Sequence, residues 1–134
     1  MAKIVYNACY GGFNLSDKAI VRYAELKGIT LYPEMHERYS SYYLVPVEKF
    51  KEVEEICRKM GDHAAAYDLC FEPRRIERND PILAQVVEEL GKEVNGYGSE
   101  LRIRELETGT KYHIDEYDGA EFVIAHDEMN WSLA

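Results

Sequence analysis

Apolar residues follow two rhythms along this chain, one of period two and one near 3.6, and the switches between them outline alternating strands and helices. Lys3 to Tyr10 is a strand-like run that meets Gly11-Gly12 and then a helix start. Ser16 suits the N-cap, Leu15 before it can staple onto Ile20, and Asp17 fits the first turn. A helix is therefore predicted over Asp17 to Lys27, with Ile20, Tyr23, Ala24 and Lys27 on one face and Gly28 at the C-terminal cap. Ile29 to Tyr32 reads as a short strand stopped by Pro33, Glu34 to Arg38 as a loop, and Tyr42 to Val45 as a further strand. Pro46 opens a second helix, in which Val47, Phe50, Val53, Ile56, Cys57 and Met60 recur at helical spacing up to Gly61. That stripe is expected to be core.

Asp62 to Asn79 has no clear period. Asp80-Pro81 then marks a third helix, with Asp at the N-cap and Pro at the first helical position, and Leu83, Val86, Val87, Leu90 and Val94 form a stripe ending at Asn95-Gly96. Gly91 inside it costs about 1 kcal/mol relative to alanine, so close packing against another element is expected there. Leu101 to Leu106, a turn at Thr108-Gly109, and Lys111 to Glu116 read as a hairpin with one wet face. Asp118 to Glu121 is either a hairpin turn or a capping box; the box is favoured, opening a short helix through Ala125 on which Phe122 and Ala125 share a face. Trp131 is expected to be a docking or interface residue. The whole reads as a single α+β domain over residues 1–134, with a mixed or antiparallel sheet, three main helices, a C-terminal hairpin and a short helix.

Charge and composition narrow the partners. The formal net charge of −9 argues against a nucleic-acid or anionic-membrane binder, which needs a basic face. Cys9, Cys57 and Cys70 make neither a closed disulfide framework nor a CxxC site, and no apolar run of about 18 residues occurs. A soluble chain of the cytoplasm with reduced thiols is expected. Eleven tyrosines suit interfaces and base-stacking surfaces as well as cores.

Two stretches carry candidate chemistry. Gly11 and Gly12 allow a ligand close to the main chain beside the helix amides at Ser16, although the spacing is neither a Walker A motif nor a GxGxxG and also serves as a plain strand-to-helix turn. Arg74, Arg75 and Arg78 are a tight cluster whose forks suit phosphate or carboxylate, with Glu72 and Glu77 available to neutralise them as a solvated surface. Catalysis through Cys9 needs a base, and His36, His63, His113 and His126 define none by spacing. No HxH or HExxH is present, and Asp115, Glu116 and Asp118 read as a solvated hairpin end rather than a metal site. Neither a metal nor another cofactor is expected.

The order of motifs resembles a family of small phage and prophage proteins over most of the chain. The residues that carry the likeness are Asn7, Cys9 to Phe13, Leu15 and Ser16; Asp80, Pro81, Leu83, Val86 to Gly91, Asn95 and Gly96; and Ile114, Glu116 to Gly119 and Glu121. The family is similar to phage Thoeris anti-defence proteins, sponges that bind cyclic ADP-ribose isomers without cleaving them. The resemblance implies a homo-oligomer with nucleotide pockets at subunit interfaces. On this reading the Gly11-Gly12 turn, Ser16 and Arg74, Arg75 or Arg78 face the phosphates, Tyr10 or Phe13 the base, and Asn7 or Asn95 polar edges, with Cys9 beside them. The chain departs from the His-Arg-x-Trp ending associated with relatives, reading His126-Asp127-Glu128-Met129-Asn130-Trp131. The alternatives are a small nucleotide-directed enzyme using Cys9 and a protein–protein inhibitor.

Overall fold

A computed structural model describes residues 1–126 of the chain, so the expectation for Trp131 lies outside the described residues. The fold is α+β, with antiparallel strand pairs throughout. Contacts divide the chain into two compact units, Met1–Tyr23 with the chain from Pro73 onward, and Ala24–Glu72.

In the first unit, β1 (Ala2–Asn7) pairs with β4 (Leu101–Leu106), from Ala2 opposite Leu106 to Asn7 opposite Leu101. β5 (Tyr112–Tyr117) pairs with β6 (Ala120–Ala125). A two-stranded ribbon alone is marginal. These two share a core of Ile4, Leu106, Val123 and Ala125, flanked by Ala2, Tyr6, Tyr112 and Ile114. Helix α1 (Asp17–Lys27) has the predicted bounds, with Ser16 Oγ accepting from the Ala19 amide at 3.1 Å. Helix α4 (Pro81–Leu90) packs against β1 and β4 and buries Leu83, Ala84, Val86 and Val87. Asp80 joins the two helices: Oδ1 accepts from the Ile82 amide at 2.8 Å and Oδ2 from the buried Tyr23 hydroxyl at 2.7 Å.

In the second unit, β2 (Tyr32–Met35) pairs with β3 (Ser40–Tyr43), and α2 (Val47–Met60) and the single turn α3 (Ala64–Tyr67) supply the rest of its core. Tyr43 stacks on Phe50 with ring centroids 4.1 Å apart.

Several expectations are corrected. Thr108-Gly109 does turn the chain, with the Thr110 amide donating to Glu107, yet it does not join paired strands: β4 takes β1 as its partner and β5 takes β6. No short helix follows Asp118. Asp118 and Gly119 have φ of 49° and 89°, the doubly left-handed backbone of a two-residue hairpin turn, and the chain continues as β6 with Glu121, Val123 and Ala125 on the buried face and Phe122 exposed on the other. Pro33 lies within β2 opposite Tyr42, tolerated because a two-stranded ribbon leaves one side of each strand unladdered. The second-helix stripe is narrower than expected: Phe50 and Cys57 are buried, while Ile56 and Met60 are exposed. Gly91 ends α4 at φ 56°, and a 3-10 turn runs on from Gly91 to Val94; a Cβ there would meet nothing within 4 Å, so backbone conformation rather than close packing calls for glycine.

Asp80→Ala removes both a helix cap and the acceptor for a buried hydroxyl, and is expected to cost about 2 kcal/mol, against about 1 kcal/mol for Tyr23→Phe. Urea unfolding midpoints of the two variants check the difference.

Candidate functional site

Three loops of the first unit converge around a cleft of about 360 Å³. It is lined by Tyr10, Gly11, Gly12, Phe13, Arg74, Arg78, Glu116, Asp118, Gly119 and Glu121. The loops touch backbone to backbone. A Cβ on Gly11 would stand 1.7 Å from the Gly98 carbonyl oxygen, and one on Gly119 would stand 2.4 Å from that of Tyr10. Gly11 is thus needed for chain packing rather than for ligand access. Gly12 takes φ 116°, and Arg74 Nη2 lies 3.6 Å from where a Cβ would stand, in ordinary contact with its side-chain face.

The arginine cluster separates into different roles. Arg78 is mostly buried, with its guanidinium 3.6 Å above the Phe13 ring centroid and its fork closed on both Glu121 oxygens, one contact at 2.8 Å. Glu121 Oε1 also accepts from the Asn7 amide at 2.8 Å. This charge is structural, because the carboxylate that faces it is itself buried. Arg74 is exposed and, among the described residues, has no hydrogen-bond or ion-pair partner. Arg75 does not line the cleft and makes contacts of its own.

Of the other expected site residues, Tyr10 lines the cleft and is 67% exposed, whereas Phe13 is buried and its face is covered by Arg78, which leaves Tyr10 as the ring able to stack. Asn7 is fully buried. Its Nδ2 donates to the carbonyls of Cys9 and Gly119 at 2.7 and 2.9 Å, and its Oδ1 accepts from the Glu100 amide at 2.8 Å. Its side chain positions the loops and does not reach the cleft. The Cys9 thiol points to the Gly98 carbonyl, 3.0 Å away, and to Asn7 Oδ1, with no histidine among these partners. Ser16 caps α1 and donates to the Glu93 carbonyl at 2.6 Å, so the α1 N-terminus is not part of the cleft. Asn95 lines a separate cavity with Lys92, Ser99 and Glu100, and its Oδ1 accepts from the Leu101 amide. Arg102 pairs with Glu100, and Arg104 donates to the Val123 carbonyl.

Sequence reasoning missed Glu116, Asp118, Gly119 and Glu121 as lining residues, although Asp-Gly between strand-like runs is a strong hairpin signal. These side chains change the electrostatics. The cleft holds one more carboxylate than guanidinium, and once Arg78 and Glu121 have neutralised each other, Arg74 faces Glu116 and Asp118. Among the described residues, no group of three or more His, Cys, Asp or Glu is placed to hold a metal ion, and no helix is long and apolar enough to cross a membrane. All three cysteines are free thiols. Comparison with protein-family descriptions, curated proteins and solved structures gives no match.

Truncating Arg78 to alanine leaves Glu121 buried without its countercharge and is expected to cost about 3–5 kcal/mol. Adding Glu121→Gln to that variant should recover part of the loss in the same denaturation experiment, which separates the buried-charge penalty from lost packing on Phe13.

Proposed function

We propose that the chain is a non-catalytic binding protein, a sponge that sequesters a nucleotide immune signal such as a cyclic ADP-ribose isomer or a cyclic oligonucleotide, the former being what its resemblance to Thoeris anti-defence proteins implies. The observation that carries the reading is the placement of Arg74, an exposed guanidinium without a partner among the described residues, against the main chain of Gly12 in a cleft that also presents Tyr10. A guanidinium fork binds a phosphate in bidentate fashion, and an aromatic ring next to it stacks on a base. The volume of about 360 Å³ lies at the small end for ligand sites, so it matches a mononucleotide-sized portion of the signal. Binding is favoured over turnover because the Cys9 thiol is directed to a carbonyl and a carboxamide. The protein acts as a homo-oligomer in the cytoplasm of an infected bacterium, with Tyr10, Tyr97 and Tyr117 among the exposed rings available to an interface.

The test is to incubate the protein with ADP-ribose, cyclic ADP-ribose isomers and cyclic dinucleotides, remove free ligand, denature, and assay what is released. An intact nucleotide is expected; a converted one would identify an enzyme, and none at all would leave a protein–protein inhibitor. For the ligand retained, Arg74→Ala is expected to weaken binding about tenfold or more in calorimetry without lowering stability, and Arg74→Lys to restore it only in part. Light scattering at micromolar concentration is expected to give a dimer or larger; a monomer with and without nucleotide refutes the oligomer.

A further inference from the structure

The two walls of the cleft differ in charge, and that difference orients a ligand. Glu116 and Glu121 are directly opposite each other across the β5–β6 ribbon, an unfavourable pairing of like charges. Arg78 resolves it by closing on Glu121, and Glu121 Oε1 also accepts from the Asn7 amide. Glu121 is therefore occupied. Glu116 and Asp118 are exposed, line the cleft, and have no hydrogen-bond or ion-pair partner among the described residues. Their position is fixed, since Asp118 and Gly119 form the hairpin turn and the Gly119 carbonyl accepts from Asn7 Nδ2 at 2.9 Å.

Resting on the nucleotide-binding reading above, we infer that Glu116 and Asp118 accept hydrogen bonds from the ribose hydroxyls of a ribonucleotide whose phosphate is held by Arg74, so the cleft selects ribonucleotides over deoxyribonucleotides. Ionised carboxylates only accept, so this wall repels the phosphate and attracts donors. Adjacent ribose hydroxyls present two such donors, a pairing with acidic side chains that dinucleotide-binding folds also use. They are also closer to the phosphate than the exocyclic groups of the base are, which suits a cleft of about 360 Å³.

The experiment is calorimetry with 5′-AMP and 5′-dAMP on the full chain and on the exposed-site variants Glu116→Gln and Asp118→Asn; asparagine also tolerates the left-handed backbone at position 118. The parent is expected to bind 5′-AMP at least about tenfold more tightly than 5′-dAMP, because each lost bond is to a charged acceptor. At least one variant should weaken 5′-AMP more than 5′-dAMP and reduce that ratio several-fold. Equal affinities in the parent, or a ratio that neither variant alters, overturns the ribose assignment while leaving nucleotide binding intact. Failure of both nucleotides to bind, together with no retention of ADP-ribose, overturns the nucleotide reading and the ribose assignment with it.

Discussion

A single buried carboxamide ties two of the loops that form the cleft to each other and to the start of β4. Asn7 stands at the end of β1 with no solvent exposure, and its donors reach Cys9 and Gly119 while its acceptor takes the Glu100 amide. Those three partners lie just before the glycine turn, in the β5–β6 turn and at the entrance to β4. A carboxamide carries two donors and an acceptor in one plane, a combination that neither a carboxylate nor a hydroxyl provides. Fully satisfied, such a buried network specifies one arrangement; partly satisfied, it leaves polar groups without water or partner. The close approaches of Gly11 to Gly98 and of Gly119 to Tyr10 follow from this convergence, since loops drawn to one point leave no room for a Cβ between them.

Beneath the cleft, Arg78, Glu121 and Phe13 convert what looks like ligand-binding charge into framework. Glu121 occupies the inward face of β6, in line with Val123 and Ala125, where a carboxylate is costly unless paired. The Arg78 fork meets both its oxygens, and the guanidinium carbon lies 3.6 Å over the Phe13 ring. The Arg78 carbonyl further accepts from the Val5 amide at 2.9 Å, tying the arginine segment to β1. With this pair closed, the polarity of the cleft is left to Arg74 on one side and Glu116 and Asp118 on the other. An acidic chain can in this way offer one local positive group without a basic surface.

The helices were largely legible because their signals are local. Ser16 and Gly28 bracket α1 at the bounds observed, Gly61 ends α2 at φ 73°, and Asp80-Pro81 opens α4 with the expected cap. Strand partnership was not legible, because pairing joins residues far apart in sequence: Ala2 opposite Leu106 leaves no trace in either segment alone. Asp118 to Ala125 shows the limit most clearly, since Asp followed three positions later by Glu fits a capping box while the Asp-Gly pair signals a two-residue turn, and the positive φ at Asp118 and Gly119 decides for the hairpin. Part of the candidate site was legible in the same local way, with Tyr10, Gly11, Gly12, Arg74 and Arg78 brought to one cleft and Arg75, Ser16 and Asn95 kept from it.

By itself the sequence determined the α+β class, the bounds of α1, the start of α4 and the turn at Gly11-Gly12, since each depends on caps, periodicity and side-chain chemistry within a few residues. Tertiary structure alone decided which strands pair, that Asn7 is a support rather than a contact, and that Arg78 is consumed by Glu121 while Arg74 stays open. The physical reason is that hydrogen-bond and charge satisfaction depend on partners 43 residues away for Arg78 and 112 for the Asn7 contact with Gly119, distances over which no local pattern carries information.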